Sequence, residues 1–357
     1  MRQRSRAIGI ARVLCICGIV YVHAWTGLVI EDLRAQGSGW QSIFYWTLIE
    51  LIGRSSVPLL SIISGWLVAS SVEKRSYGSF VANKANSLIL PMILWNLVSV
   101  SMVMALATWG ELRAPTPSPI MPLLNEIFHF TAAGQIDVQN AFLRDIFICM
   151  MFAPLLVRLP NRALAVVLGG ALLWSLFGWQ LYLLLRPQIL LFFLIGMFVR
   201  RYRLDMAAGN LLVWPLFLLF LVAGAGKVWM SVIGQQQVQG YPVLVAAFDN
   251  GLRLLAALLY WRLSLRLAAG RWAAPILKAE PYSFLLFCSH VLIIWLLFPV
   301  IGPWFGRFGQ PGYPAFLLLQ PVFALAAAIV LGRALLRIWP AAAKIMSGGR
   351  LKSTAHQ

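Results

Sequence analysis

The sequence predicts an all-α membrane protein, a polytopic bundle of about ten transmembrane helices with the N- and C-termini cytoplasmic. Two observations predict this fold. Of the 357 residues, 61% are hydrophobic and only 11% are charged, and the apolar runs are long enough to cross a hydrocarbon core of roughly 30 Å. Lys and Arg also concentrate in alternate connecting segments, as the positive-inside rule requires of cytoplasmic loops.

Apolar runs of helix length follow one another along the chain. We predict spans at 8–30, 42–71, 80–108, 140–157, 163–182, 188–200, 209–232, 240–261, 281–301 and 314–337. An even number of spans places both termini on one side of the membrane. The chain is therefore predicted to form a single transmembrane domain over 1–338, followed by a polar, disordered cytoplasmic basic tail over 339–357.

The basic residues divide unequally between the two sets of connecting segments. The predicted external set contains only Arg34, Arg113, Arg186 and Arg307. The predicted cytoplasmic set contains Arg2, Arg4, Arg6, Lys74, Arg75, Arg158, Arg162, Arg200, Arg201, Arg203, Arg262, Arg266, Arg271, Lys278, Arg337, Lys344, Arg350 and Lys352. The net charge of +18 therefore reflects topology and contact with anionic membrane lipid, and we predict no nucleic-acid partner.

The first span contains an arginine and a histidine, both of which are costly inside a membrane. Arg12 and His23 are 11 residues apart, which returns to nearly the same helix face roughly 16 Å further along the axis. We predict that both side chains face one cavity, which holds an anion at one end and supports proton transfer at the other. The alternative is an arginine that snorkels to the headgroups and a histidine hydrogen-bonded between helices. Arg12 also interrupts the apolar run, which favours an uncleaved span over a signal peptide.

Arg54 opens the second candidate motif, RSSVPLLSIISGW. An unpaired arginine at this depth would be expensive. Pro58 and the pair Ser64 and Gly65 permit a kink or a close helix approach in this span.

Three later spans carry further polar groups. Arg144 and Asp145 place a cation beside a carboxylate near the predicted external end of the fourth span. Asp249 and Arg253 are four residues apart and are predicted to form an ion pair on one helix face. His290 is predicted to be a hydrogen-bonded interhelical residue rather than a catalyst.

The segment 109–139 is the one long hydrophilic stretch. The topology predicts an external loop, which either folds over the mouth of the bundle as a lid or acceptor platform, or is a simple connector. The four cysteines all fall in predicted spans without metal-ligand spacing, so no metal site is predicted.

Several of these stretches together resemble the acyltransferase-3 family, which comprises integral membrane O-acyltransferases that modify cell-surface and secreted glycans. The resemblance covers most of the chain, and its motifs occur in the expected order. They are Arg12 with His23, Arg54 with Val57-Pro58 and Ser64-Gly65, the box Phe142 to Asp145, the segment FFLIGMFVRR and the segment PYSFLLFCSH.

Two departures from the family pattern concern the predicted site. The family commonly carries two arginines, three residues apart, where the third span begins, whereas this chain has Lys84 and Ser87 in NKANSLILP. Either Lys84 with Arg75 or Arg200 compensates, or the acyl donor is held differently. The box at Phe142 also lacks the preceding tryptophan that is common in the family.

The resemblance implies transfer of an acyl group, most often acetyl, from cytoplasmic acyl-CoA to a hydroxyl of a surface or exopolysaccharide glycan or its lipid-linked precursor, in the bacterial inner membrane. His23 is the expected general base, because an imidazole with a pKa of roughly 6.5 is substantially neutral at physiological pH. Asp145 or Glu50 is expected to orient its ring. Arg54 or Arg144 is expected to stabilise the tetrahedral oxyanion.

The expected donor-binding residues lie near the cytoplasmic helix ends, where CoA phosphates would need neutralisation. They are Arg12, Lys84, Arg75 and Arg200. The positive-inside rule alone also explains the cluster that contains Arg200. Acetyl-CoA or another short acyl-CoA is the expected co-substrate, a carbohydrate is the acceptor, and polysaccharide-biosynthesis machinery is a possible partner.

Two other function classes stay open at this point. A transporter or flippase of a lipid-linked sugar or polysaccharide unit would explain the same intramembrane charges, although no internal repeat supports it. A noncatalytic subunit of an export assembly would be expected to lack His23. The sequence also leaves open direct transfer and an acyl-histidine intermediate.

Overall fold

The computed structural model describes residues 2–29, 32–33, 37, 39–110 and 120–352. Every regular element in this part of the chain is helical, which confirms the all-α prediction. The helices are α1 (Arg2–Val20), α2 (Trp40–Val72), α3 (Tyr77–Thr108), α4 (Ile120–Phe128), α5 (Val138–Arg158), α6 (Asn161–Phe177), α7 (Pro187–Arg201), α8 (Leu204–Asn210), α9 (Val213–Val232), α10 (Pro242–Ala269), α11 (Ala273–Phe305), α12 (Tyr313–Ile338) and α13 (Pro340–Met346).

Eight helices within the described residues are long and apolar enough to cross a membrane. They are α1, α2, α3, α5, α9, α10, α11 and α12. The other two predicted spans, 163–182 and 188–200, correspond to the shorter helices α6 and α7, of 17 and 15 residues. At 1.5 Å per residue, α7 is roughly 22 Å long, which is less than a hydrocarbon core.

The helix α7 is nevertheless part of the interior of the bundle. Its residues Leu191 to Leu194 are buried, and it packs along α2. The contact is close because each helix presents a glycine. A Cβ added at Gly65 would lie 1.9 Å from the carbonyl oxygen of Phe193, and one added at Gly196 would lie 2.1 Å from that of Ile62. The predicted close approach at Ser64-Gly65 is therefore confirmed.

Replacing Gly65 with alanine is expected to destabilise the protein by about 1 to 3 kcal/mol, because the new methyl group overlaps a backbone oxygen that cannot move alone. Thermal unfolding of the detergent-purified protein measures the effect. Gly170→Ala is the matched control, since a Cβ there meets nothing within 4 Å. Equal melting temperatures for the two variants would contradict this account of the contact.

Two π-helical turns interrupt the long helices at points that matter for the site. One covers Leu48–Arg54 in α2, and the other covers Ala85–Ile89 in α3, directly after Lys84. Such turns insert one residue per turn and re-aim the side chains that follow, and they are frequent at functional sites. The first turn includes Arg54 and the second directly follows Lys84, and these two cations line the two cavities described below.

The segment between α3 and α5 packs onto the bundle over residues 120–140. Glu126 is buried and accepts hydrogen bonds from the backbone amides of Gln135 and Ile136, at 2.7 and 2.9 Å. His129 is fully buried beside Asn96, and burial lowers its pKa to about 4, so that its ring is neutral. These residues are packed onto the bundle, whereas residues 111–119 of the predicted external loop lie outside the described residues.

The tail departs from its predicted disorder over residues 340–352. Helix α13 occupies the first seven of these residues, and the indole of Trp95 donates a hydrogen bond to the carbonyl of Met346 at 3.0 Å. Leu351 is buried at 2% exposure. The disorder prediction is wrong for this stretch because tertiary contacts with α3 and α11 hold a segment that its polar composition alone would leave unfolded.

Candidate active site

His23 ends the first helix, and three side-chain contacts fix the chain just beyond it. The helix continues from α1 through a 3₁₀ turn, Tyr21–His23. The side chain of Gln320 accepts from the amide of Trp25 at 2.9 Å and donates to its carbonyl at 2.8 Å. The hydroxyl of Tyr313 donates to the same carbonyl at 2.8 Å. Helix α12 therefore fixes the backbone next to the imidazole.

The imidazole of His23 faces a cavity of about 520 Å³, which we call the His23 cavity. Two arginines from helices α2 and α10 and one from the loop before α7 line it together with apolar side chains. The lining residues are Ile19, Val22, His23, Arg54, Val57, Pro58, Ser61, Val138, Gln139, Phe142, Arg186, Gln188, Ile189, Phe192, Arg253 and Phe287. The structure thus places a histidine and several cations around one space large enough for a reacting group.

His290 lies directly beside His23, with the ring centroids 5.3 Å apart. Its Nδ1 is 2.8 Å from the carbonyl oxygen of Phe287 and 3.2 Å from that of Leu286. Since a carbonyl oxygen only accepts, Nδ1 carries the proton, and in the neutral ring Nε2 is left as an acceptor. That Nε2 is buried and has no hydrogen-bond partner among the described residues. His290 was predicted to be hydrogen-bonded between helices, but its Nδ1 contacts carbonyls of its own helix α11 and its Nε2 is left without a partner among the described residues.

Two of the arginines in the His23 cavity are paired with carboxylates. Arg54 donates to Glu50 at 2.7 Å, and Glu50 is 2% exposed. Arg253 forms the predicted ion pair with Asp249, which also contacts Lys227 at 3.0 Å. Their charges are thus largely neutralised by the protein itself.

Arg186 differs from these two arginines. Among the described residues, no carboxylate side chain lies at ion-pair distance from its guanidinium, which donates to the carbonyl of Val138 at 3.3 Å. Its backbone amide donates to Asp145 at 2.9 Å. Arg186 therefore brings a cation to the His23 cavity while its main chain is held by a buried carboxylate.

A second cavity, of about 170 Å³, lies next to the first, and we call it the Arg12 cavity. Arg12, Lys84 and Arg350 bring three cations to it. Its lining residues are Arg12, Ile16, Leu60, Ile63, Ser64, Leu67, Val68, Lys84, Ser87, Leu88, Phe142, Leu143, Ile146, Met150, Ser283, Phe284, Phe287 and Arg350. Arg12 is paired with Glu280 at 3.2 Å.

The two cavities share the side chains of Phe142 and Phe287, whose ring centroids are 5.6 Å apart. The sequence predicted one cavity for Arg12 and His23. In the structure Arg12 and His23 line two adjoining cavities, which meet at this aromatic pair. Helix α1 contributes to both: Arg12 and Ile16 line one cavity, and Ile19 lines the other.

Comparison with known proteins assigns this helical bundle to a family. The acyltransferase-3 family model, described as an acyltransferase domain, matches residues 6–336. The chain belongs to the acyltransferase-3 family. It is also 25% identical over 361 residues to the succinoglycan biosynthesis protein ExoH of Rhizobium meliloti (strain 1021), covering 97% of this chain and 92% of that protein. No solved structure matches it.

The structure brings some residues predicted for this acyltransferase together and separates others. His23 shares its cavity with Arg54, as expected, and Arg12 shares its cavity with Lys84. Arg75 lies instead in a groove with Tyr77 and Arg158. The described residues that line the Arg12 cavity do not include it.

Arg200 also lies away from the Arg12 cavity. Its guanidinium donates to the carbonyl of Trp66 at 3.3 Å and stacks over the indole, 5.3 Å from the ring centroid. It faces an open groove that it shares with Arg203 and Asp205. Its contacts are thus with the outer surface of α2 rather than with the helices around Lys84.

Arg144 and Asp145 form a structural bridge rather than part of a cavity wall. They pair with each other at 2.7 Å. Arg144 also donates to the carbonyls of Phe130, Tyr182 and Leu183, at 3.0 to 3.1 Å. Neither side chain is among the described residues that line the His23 cavity. Together they fix the loop that carries Arg186.

Three residues of this acyltransferase lie at the two cavities although they were not predicted from the sequence to belong to the site. They are Arg186, His290 and Arg350. From the sequence, Arg186 is a charged residue of a predicted external loop. Arg350 is a charged residue of the predicted cytoplasmic tail, and the positive-inside rule alone explains a charge there. A lone histidine in an apolar helix gives little signal by itself. Among the described residues, no group of three or more His, Cys, Asp or Glu side chains has the arrangement of a metal site.

Proposed function

We propose that the protein is an acyl-CoA-dependent O-acyltransferase of the bacterial inner membrane, which transfers a short acyl group to a hydroxyl of an exopolysaccharide or its lipid-linked precursor. The observation that carries the proposal is the adjacency of the two cavities: cations surround one, and His23 faces the other. The polysaccharide acceptor is supported by the relative's name, a succinoglycan biosynthesis protein. Acetyl is the proposed acyl group.

The proposed reaction begins when neutral His23 removes the proton from the acceptor hydroxyl. The oxygen attacks the thioester carbonyl carbon and forms a tetrahedral intermediate with a negatively charged oxygen. When the intermediate collapses, the carbon–sulfur bond breaks, and the departing CoA thiolate takes the proton from the imidazolium of His23. The products are the acyl ester and free CoA, and His23 is again neutral.

Arg186 is the proposed stabiliser of the oxyanion. A cation in a cavity with apolar walls acts strongly on charge that develops in the transition state. Arg54 and Arg253 line the same cavity, but Glu50 and Asp249 already pair with them. Arg54, which was expected from the sequence to stabilise the oxyanion, is therefore proposed instead to orient the acceptor. Arg186 has the guanidinium that lacks a carboxylate partner among the described residues.

On the donor side, Arg12 and Lys84 are proposed to bind the phosphates of CoA. The pantetheine arm then passes alongside Phe142 and Phe287, which line both cavities, to bring the thioester to His23. The rise from Arg12 to His23, roughly 16 Å, matches an extended arm of this kind. Arg144 and Asp145, predicted as catalytic residues, are now proposed to position Arg186 through the hydrogen bonds described above.

His290 is the proposed positioning residue for His23, because its unpartnered Nε2 can accept a hydrogen bond from the protonated imidazole. Replacing His290 with phenylalanine is expected to reduce kcat by about tenfold to a hundredfold, the value of a hydrogen bond to a charged group. The KM for acyl-CoA should stay within about twofold of wild type, since His290 is not among the residues that line the Arg12 cavity. Steady-state kinetics measure both constants, and a change confined to KM would contradict the assignment.

Mass spectrometry of the surface polysaccharide from cells with and without the gene tests the proposed function. We expect one kind of acyl ester to disappear in the deletion strain and to return with the wild-type gene but not with His23→Gln. In vitro, membranes with labelled acetyl-CoA or succinyl-CoA identify the donor. An unchanged acyl content would refute the proposal, and translocation of a lipid-linked sugar without acyl transfer would favour the transporter alternative.

A further inference from the structure

The C-terminal segment after α13 turns back into the bundle at Gly348 and Gly349, which have positive φ angles of 59° and 81°. The amide of Leu351 donates to the hydroxyl of Ser347 at 3.0 Å, and Leu351 itself is buried. These residues lie beyond the part of the chain that matches the family, which ends at 336. The segment is held in place by contacts that its own residues make, such as the hydrogen bond from Leu351 to Ser347.

Arg350 projects from this turn into the Arg12 cavity. Its guanidinium carbon lies 3.8 Å from the centroid of the Phe284 ring, a close cation–π contact. A Cβ built on Gly348 would lie 2.5 Å both from Nη1 of Arg350 and from the carbonyl oxygen of Ser87, which places those two atoms within about 5 Å of each other. The guanidinium thus lies on the side of the cavity where Ser87 provides no charge.

The charges around the Arg12 cavity do not balance. Three cations line it: Arg12, Lys84 and Arg350. Within the described residues, the one carboxylate at ion-pair distance from any of these cations is Glu280, which pairs with Arg12. Burial, followed by repulsion from Arg12, lowers the pKa of Arg350 to about 10. Arg350 therefore stays charged at neutral pH, and its repulsion from Arg12 is relieved when an anion enters.

The positive-inside rule does not explain this arrangement, because that rule needs only a charge in the cytoplasm. Lys352, two residues further on, meets that need with an exposed side chain. Arg350 is instead turned inward, over an aromatic ring and next to two other cations. Burying a charged side chain costs free energy unless a group of opposite charge binds beside it.

We propose that Arg350 is a donor-binding residue that, with Arg12 and Lys84, binds a phosphate group of CoA. The C-terminal segment thereby supplies the cation that the side chain at position 87 lacks. This inference rests on the proposed function, since it assigns a third cation to the same donor site. A planar guanidinium is well suited to this role because it binds phosphate through two parallel hydrogen bonds.

Equilibrium binding of CoA to the purified full-length protein tests the proposal. Arg350→Gln is expected to raise the Kd by about tenfold to a hundredfold. Arg350→Lys, which keeps the charge but loses the bidentate geometry, should give a smaller increase. Lys352→Ala is the matched control from the same segment and should bind within about twofold of wild type. Adding Ser87→Arg to Arg350→Gln should restore most of the affinity, because it returns a guanidinium to the same cavity.

The outcomes separate this inference from the proposed function. His23→Gln should bind CoA as wild type does while it fails to transfer the acyl group. In one outcome, wild type binds CoA and transfers the acyl group, and Arg350→Gln and Arg350→Lys both bind CoA as tightly as wild type does. That outcome refutes the role of Arg350 and leaves the proposed function intact. If wild type neither binds CoA nor transfers an acyl group, the donor assignment fails altogether. Thermal unfolding of each variant shows whether the fold is retained, and Arg350→Lys decides the matter where Arg350→Gln does not fold.

Discussion

Replacing His23 with glutamine is expected to reduce kcat for acyl transfer by about a thousandfold, within the range that general-base catalysis supplies. Glutamine keeps a polar side chain of similar size but cannot take the proton from the acceptor hydroxyl. The cavity around it should survive, because the contacts from Gln320 and Tyr313 hold the backbone of Trp25 rather than the imidazole. Single-turnover transfer from labelled acyl-CoA in detergent or nanodiscs measures the loss.

Binding of CoA provides the control for this experiment, since the Arg12 cavity does not include His23 among its described lining residues. The variant should bind CoA with wild-type affinity. A His23→Gln protein that transfers acyl groups at the wild-type rate would show that another group is the base. Loss of both binding and transfer would indicate instead that the variant is misfolded, which thermal unfolding would reveal.

Replacing Arg186 with glutamine is expected to reduce kcat by about a hundredfold to a thousandfold, the cost of removing one group that stabilises an oxyanion. The KM for acyl-CoA should change little, because the guanidinium lines the His23 cavity and not the Arg12 cavity. The backbone bond from residue 186 to Asp145 does not depend on the side chain. Steady-state kinetics with saturating acceptor measure the effect.

Arg253→Gln is the matched control for Arg186, since it removes another arginine from the same cavity. Arg253 is paired with Asp249, and Lys227 stays at 3.0 Å from that carboxylate in its absence. A loss of less than about tenfold is therefore expected, in line with the removal of one ordinary polar contact. Equal losses for the two variants would show that the cavity needs positive charge in general and not Arg186 in particular.

The sequence predicts those features of the structure that depend on composition and on the free-energy cost of burying a charge. The order of the helices follows from hydropathy, although α7 is shorter than a span and packs on α2. Arg12 and His23 stand out because a cation and an imidazole in a membrane need a compensating function. The same reasoning found Arg54, whereas Lys84 was found through the resemblance to the acyltransferase-3 family.

The parts that the sequence could not supply depend on tertiary contacts between distant residues. Arg186 faces the His23 cavity because Asp145, 41 positions away, binds its backbone amide. Arg350 faces the Arg12 cavity because Trp95 holds the end of α13 and Phe284 receives the guanidinium. Gly348 and Gly349 are a local signal for a turn, but nothing local indicates that the turn directs Arg350 into the bundle. Likewise, the contact between Phe142 and Phe287, at which the two cavities meet, joins residues that are distant in the sequence.

A structure of the protein with a non-hydrolysable acyl-CoA analogue would test the central claim most directly. The account predicts phosphate groups at Arg12, Lys84 and Arg350, and an acyl carbonyl beside His23, with the pantetheine arm passing alongside Phe142 and Phe287. An analogue bound outside these cavities, or one whose carbonyl stays on the Arg12 side of the two phenylalanines, would contradict it.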